Sequence, residues 1–246
     1  MRIRSRSGAF ISSKIGKAIK DYNMIEEGDS ILVAVSGGKD SLTLLRLLRE
    51  RQRWSPVKYD LIAAHIETDM KCGVRVGNKY LKDLFEDIGV EYIFRKMKLH
   101  EAKTEKKPNC FWCAWNRRKF LFQAAYDRGC GKVALAHHKD DIIETTLLNL
   151  FFLGEISTMN PRQELFDGKI TIIRPLCYVE ESTIRQFARE NDFPGDEGGT
   201  ADPRNANRLY LKNVIKDLQK RSPVVKANIF NSIARVKSEY INLIED

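Results

Sequence analysis

The sequence predicts an α/β fold, a doubly wound and mostly parallel sheet with a helical N-terminal arm and a helical C-terminal extension. Three observations predict it. Apolar, β-branched runs alternate with stretches of helical spacing through about residue 190. The first such run leads directly into Ser36-Gly37-Gly38-Lys39-Asp40-Ser41, a small polar turn ahead of an amphipathic stretch. The 246 residues are 43% apolar and 30% charged, which suits a folded chain with a sizeable core.

Each element follows from its pattern. Residues 12–23 read as a basic amphipathic helix with Ile15, Ala18 and Ile19 on one side. Ile31-Leu32-Val33-Ala34-Val35 is the signature of a strand buried on both faces. Leu42, Leu45 and Leu48 then mark a helix. Residues 59–66 read as a strand, 75–88 as a helix, 90–95 as a strand, 112–128 as a helix and 132–136 as a strand. Residues 141–153 read as a helix started by an Asp141-x-x-Glu144 capping box. A last strand over 170–174 and a helix over 180–191 follow. Residues 192–208 are rich in Gly, Pro, Asp and Asn and mark a linker, after which 207–219 and 223–241 read as helices. The expected organisation is therefore a basic arm over 1–28, an α/β domain over 29–191, and a linker with helical extension over 192–246.

Lys and Arg exceed Asp and Glu by 42 to 33, a net charge of +9. That favours a polyanionic partner, nucleic acid first. The charge is clustered: residues 1–20 hold six Lys or Arg and no acid. Residues 204–226 hold Arg204, Arg208, Lys212, Lys216, Lys220, Arg221 and Lys226 against Asp217. No run approaches the length of a membrane span, and the basic start lacks the apolar segment of a secretory signal, so the expected location is the cytoplasm, with no membrane partner. The five cysteines, Cys72, Cys110, Cys113, Cys130 and Cys177, are sparse and odd in number. In a reducing compartment, clustered cysteines point to metal or redox chemistry.

The turn at 36–41 sits where an open α/β sheet binds ligands, at a strand's carboxyl end and a helix N-terminus. Gly37 and Gly38 allow backbone to approach a phosphate, Ser36 and Ser41 offer hydroxyls, and Lys39 offers a cation. Asp40 repels phosphate unless it caps the helix or holds Mg2+. The turn is not a Walker A loop, because Asp40 follows Gly38-Lys39 and Val33 stands where the first glycine belongs.

Ala136-His137-His138-Lys139-Asp140-Asp141 ends the fourth strand with the right chemistry for phosphate and Mg2+ contacts. Alone it is weak, since Asp141 also suits a helix cap and His137 a buried, satisfied histidine. Cys110-Phe111-Trp112-Cys113 opens the helix carrying Arg117 and Arg118. Structural zinc needs four ligands and an iron–sulfur cluster at least three thiolates, so the pair by itself leaves its role open.

Residues 36–41 resemble the SGGxDS pyrophosphate loop of the PP-loop ATP pyrophosphatases, whose fold is adenine nucleotide alpha hydrolase-like. Residues 136–145 resemble the GHHxDDxxET signature of the family's RNA-modifying branch, with Ala136 replacing Gly. Arg174-Pro175-Leu176 resembles a further active-site segment. With the C-x-x-C and its following arginines, the chain resembles the tRNA 2-thiocytidine synthetase family over roughly residues 13–240. The resemblance implies an AMP- and pyrophosphate-forming sulfurtransferase that adenylates the 2-oxo group of a tRNA cytidine and replaces it with sulfur. It implies ATP on Ser36, Gly37, Gly38, Lys39, Asp40, Ser41, His65, Ala136, His138 and Asp141, with Mg2+ on Asp40 and Asp141. It implies a 4Fe–4S cluster on three cysteines. Cys110 and Cys113 match two of them.

The family's third cysteine follows the Phe-Pro matched here by Phe193-Pro194, and this sequence has none there. Cys177 is the leading replacement, as it follows the last strand. Cys72, in the loop after the second strand, and the absence of a third ligand stay open, while Cys130 is expected at the opposite rim. Asp40, Cys110, Cys113 and Cys177 are the expected catalytic set. The tRNA is expected on Arg117, Arg118, Lys216, Lys220 and Arg221, with a base splayed into the pocket. Trp112, Phe111 and Trp115 suit stacking on that base or core packing alike. A sulfur donor, a cysteine desulfurase or sulfide, is the second expected partner, and a homodimer stays open. Competing readings are amine attachment to an adenylated base as in lysidine synthetases, sulfur transfer to another base or a small molecule, and a non-catalytic, cluster-carrying RNA-binding module.

Overall fold

Six strands form one sheet in the order β3-β2-β1-β4-β6-β5. The strands are β1 (Asp29–Ala34), β2 (Tyr59–Thr68), β3 (Glu91–Met97), β4 (Lys132–Ala134), β5 (Arg162–Leu165) and β6 (Ile170–Ile173). The computed structural model describes residues 5–68, 76–97, 110–194, 203–237 and 239, with backbone only for 110, 111 and 203–205. All neighbours pair in parallel except β5, which runs antiparallel to β6.

The chain forms two compact units, residues 1–138 with 160–202, and residues 139–159 with 203–246. The first holds the sheet. Its inner strands β1, β2, β4 and β6 are largely buried, as largely apolar runs require, whereas the edge strands β3 and β5 are only partly buried. On one face α4 (Cys110–Asp127) packs Leu121, Ala124 and Ala125 against Leu32, Ile62, Ala64, Val133 and Ile172. Elsewhere in this unit α2 (Lys39–Gln52) buries Leu42, Leu44, Leu45, Leu47 and Leu48 completely. α1 (Arg6–Asp21) is longer than its apolar spacing predicts, because Ser5 caps it by accepting from the Gly8 amide at 3.1 Å. It does not project: Ile11, Ile15 and Ala18 are buried, and the Ser7 hydroxyl donates to Glu190 at the end of α6 (Glu181–Glu190). α3 (Asn78–Ile88) seats Leu81 and Phe85, with Gly89 ending it in the left-handed conformation. Phe85 is fully buried beside Tyr92 and Phe94 of β3. Phe85→Ala is expected to cost about 3–5 kcal/mol in denaturant titration.

In the second unit α5 (Lys139–Leu148) packs Ile143 and Leu147 against Leu211 and Ile215 of α7 (Pro203–Arg221). Ile229 and Phe230 of α8 (Val225–Ser232) complete that core.

Besides α1, four elements differ from the sequence reading. The helix expected over 141–153 starts at Lys139 and ends in a π-helical turn at Asn149–Leu153. Asp141 therefore lies inside the first turn, and Glu144 is buried within the helix, so they form no capping box. The helix expected over 223–241 is only Val225–Ser232, since Ile229 and Phe230 are what the core takes up. α7 begins at Pro203, inside the expected linker, with proline in the first helical position. β5 was not expected at all. Among the described residues no helix is long and apolar enough to cross a membrane.

Candidate active site

The strand order places the site. β2 and β3 lie on one side of β1 while β4, β6 and β5 lie on the other, so the connections diverge between β1 and β4. Ligands of open α/β sheets bind at this switch point, outside the strands' carboxyl ends. The 36–41 turn follows β1 and residues 135–138 follow β4, so both sequence signatures meet here. His138 Nε2 lies 3.9 Å from Asp40 Oδ1.

The turn is held from within. The Ser41 hydroxyl donates to the Gly38 carbonyl at 2.9 Å and accepts from the Ser36 amide at 3.2 Å. The Gly38 amide donates to the Ser36 hydroxyl at 3.3 Å. Gly37 has φ +92°, and a Cβ there would sit 3.1 Å from the Val76 side chain. Gly38 caps α2 with no side-chain hydrogen bond. The helix therefore presents its first amides and the positive end of its dipole with no side-chain cap at Gly38, and Asp40 is the acid of its first turn. Lys39 is drawn back more than the sequence suggests. Its ammonium lies 3.1 Å from Asp40 Oδ2 and 3.2 Å from Glu181 Oε1.

His65, on β2, donates from Nδ1 to the Val35 carbonyl at 2.7 Å, just before the turn. Burial lowers its pKa, which keeps the ring neutral with Nε2 unprotonated. Ala136 is half-buried.

The cysteines separate. Cys113 is buried against the sheet, with Thr68 Oγ1 at 3.8 Å and the Arg117 guanidinium donating to its sulfur at 3.7 Å. Arg117 thus turns toward a thiol, while Arg118 is exposed. Cys177 is fully buried, and burial pushes its thiol up to about 12. Thr68 ends β2 and Cys177 follows β6, three strand positions apart. At the usual strand spacing that is about 14 Å, so the structure does not bring Cys177 to Cys113. Among the described residues no three His, Cys, Asp or Glu converge to hold a metal. Cys72 and the Cys110 side chain lie outside the described residues. Cys110 and Cys113 open α4 and have the donor chemistry for two positions of a cluster. Cys130 sits at the sheet's other edge, 3.3 Å from Ser30 at the start of β1. A cavity of about 400 Å³ at that same edge, lined by Ser30, Asp60, Arg49 and Arg128, holds none of the candidate residues. Trp112 packs partly buried on the core and Trp115 is 56% exposed.

In the second unit the signature's acids already have cations. Asp140 pairs with Lys226 at 2.5 Å. Arg208 lies 4.0 Å from Asp141 and 3.9 Å from buried Glu144, and Lys212 lies 3.5 Å from Glu144. Part of the C-terminal basic cluster therefore serves this unit's own fold, which charge counting did not reveal. Lys216, Lys220 and Arg221 are exposed on α7, with Lys220 2.8 Å from Asp217.

The PP-loop domain family matches residues 9–221. A tRNA-cytidine(32) 2-sulfurtransferase of Geobacter metallireducens is 41% identical over 238 residues, spanning 94% of this chain and 91% of the relative. One of Geobacter sulfurreducens is 39% identical, with the same coverage of 94% and 91%. Among solved structures, the U34-tRNA thiolase NcsA from Methanococcus maripaludis with its 4Fe–4S cluster aligns at TM-score 0.74 and 21% identity. It covers 96% of this chain and 81% of that one, a likeness of fold. With its uncapped loop at the switch point of a matching sheet, the chain belongs to the PP-loop family, in the branch of the tRNA-cytidine 2-sulfurtransferases.

Proposed function

We propose that this chain is an ATP-dependent tRNA sulfurtransferase that adenylates the C2 oxygen of a cytidine and replaces it with sulfur. The observation that carries the reading is the meeting of the 36–41 turn and His138 at the β1/β4 switch point. Backbone amides of the turn and of α2 hold the β and γ phosphates. The base oxygen attacks the α-phosphorus, the bond to the β-phosphate oxygen breaks, and pyrophosphate leaves into those same amides. Donors fixed before the charge develops are the efficient way to stabilise it. A sulfur nucleophile then adds at C2, and AMP departs with the former carbonyl oxygen. Asp40 is the proposed Mg2+ ligand beside the turn. His65, neutral and tied to the Val35 carbonyl, braces the turn from the β2 side.

Cys110 and Cys113 are the proposed cluster ligands. The Arg117 guanidinium donates to the Cys113 sulfur at 3.7 Å, and Thr68 Oγ1 lies 3.8 Å from it. A bound 4Fe–4S cluster would supply an iron site for incoming sulfide. The described residues contribute no third thiol beside Cys113, so no step here depends on it.

The RNA contacts are proposed on the exposed cations Arg118, Lys216, Lys220 and Arg221. Replacing Lys216, Lys220 and Arg221 together with Ala is expected to lower the salt slope of tRNA binding by up to about 3 while leaving the fold intact. Arg208→Ala with Lys212→Ala is expected instead to destabilise by about 1–3 kcal/mol, because buried Glu144 loses both of these cations. Thermal melts and filter binding at several salt concentrations separate the two. Equal effects of both sets on binding alone would contradict this division. The activity itself is tested by incubating the protein with ATP, sulfide and tRNA. AMP and pyrophosphate are expected, and ADP with phosphate would overturn the reading.

A further inference from the structure

Arg174, the residue after β6, is a buried cation without a counter-charge. It is 4% exposed. Its Nε donates to His137 Nδ1 at 3.1 Å, and its Nη1 donates to the Asn160 carbonyl. Both acceptors are neutral. Among the described residues no carboxylate pairs with it. The charged groups that shape its environment are Arg118 of α4, which repels it, and the Cys177 thiol, which burial holds protonated. Desolvation and Arg118 together pull its pKa down to about 10, so it is still a cation at neutral pH. Arginine has five N–H donors; among the described residues two are used here, and Nη2 makes no hydrogen bond.

A desolvated guanidinium beside a second arginine is costly unless an anion joins it. Structural roles do not need that arrangement, since Asn160 and His137 would be tied equally well by a neutral donor. The site lies at the carboxyl edge of the sheet, where ligands bind. It is two strands from β1, a lateral offset of about 10 Å from the pyrophosphate turn. That offset makes it a separate seat.

We propose that Arg174 and Arg118 form a second phosphoryl-binding seat, distinct from the 36–41 turn, with the free edge of the Arg174 guanidinium as its main donor. The chemistry is that of a tetrahedral oxyanion, which the planar fork of arginine matches well. Two sources carry that chemistry to this rim: the α-phosphate of the nucleotide, and a phosphodiester of the bound RNA. The inference rests on the sulfurtransferase reading above.

The test uses the full chain with Arg174→Lys and Arg118→Gln. The second variant is on the surface and keeps the test valid if the first folds poorly. Pyrophosphate, α,β-methylene-ATP and an unmodified tRNA transcript are titrated separately by calorimetry. Pyrophosphate binding by the wild type tests the parent reading by itself. In both variants its affinity is expected to be unchanged. A loss of about tenfold or more for α,β-methylene-ATP alone identifies the nucleotide phosphate as the occupant. A similar loss for tRNA alone in Arg174→Lys, with the salt slope reduced by about 1, identifies an RNA phosphodiester, whereas a tRNA loss confined to Arg118→Gln reports only the surface RNA contact and counts against the seat. If pyrophosphate weakens in parallel with the nucleotide, Arg174 belongs to the first seat and the proposal fails. It also fails if both larger ligands bind within about twofold of wild type while only the melting temperature falls, because Arg174 is then a structural tie.

Discussion

Gly37→Ala and Asp40→Ala should each lower AMP-forming ATP turnover by about 100-fold to 1000-fold, the scale seen when a single preorganised donor is lost. The two act by different routes. Gly37 has φ +92°, which an L side chain rarely adopts, and its Cβ would press on Val76 at 3.1 Å. The substitution therefore distorts the backbone whose amides face the leaving group. Asp40 stands between Lys39 and His138, and its loss removes the proposed Mg2+ ligand and one of the carboxylates that hold Lys39. Pyrophosphate affinity distinguishes them. It should fall sharply for Gly37→Ala and change little for Asp40→Ala when Mg2+ is absent. Turnover close to wild type in Gly37→Ala would show that the turn does not hold the leaving group.

The second large effect divides the cysteines. Cys113→Ala should abolish thiolation, to below about 1% of wild type, while ATP is still bound, because the sulfur lies on α4 beside Arg117 and against Thr68 at the end of β2, rather than in the 36–41 turn. Cys177→Ala should keep iron content and thiolation and lose only about 1 kcal/mol of stability, as expected of a small buried side chain. Its thiol, pushed up to about 12 by burial, is a poor thiolate donor at neutral pH. Iron content, nucleoside analysis and denaturant titration of the two variants read these outcomes. Loss of iron in Cys177→Ala would restore it as the third ligand.

The sheet was legible because buried parallel strands are dominated by apolar, β-branched residues: Ile31–Val35 is wholly apolar, and Leu61–Ala64 and Ile170–Ile173 are nearly so. Both signatures were legible for the same reason, since each sits directly after such a run. β5 was missed although a signal was present. Asp167-Gly168 is a hairpin turn, and Phe166, Asp167 and Gly168 all adopt positive φ. The polar edge strand Arg162–Leu165 lacks the burial that gives a strand its pattern. Residues 6–11 of α1 were missed because Ser7, Gly8 and Ser12 are buried through their small size, not their apolarity. The cysteine arrangement was the least legible part of the site. Chain position put Cys177 at a strand end, but whether a thiol at that end faces its partners depends on how the turn after β6 folds inward. Likewise, the basic count at the C-terminus could not separate Arg208 and Lys212, which neutralise buried Glu144, from the exposed Lys216 and Arg221.

The most direct test of the account is mass spectrometry of nucleosides from a cytidine-containing tRNA transcript incubated with the anaerobically purified protein, ATP, Mg2+ and sulfide. The account predicts a cytidine heavier by one oxygen-to-sulfur exchange, formed in step with AMP and absent in Ser36→Ala. A thiolated uridine with unchanged cytidine, or unchanged nucleosides despite AMP formation, would contradict it.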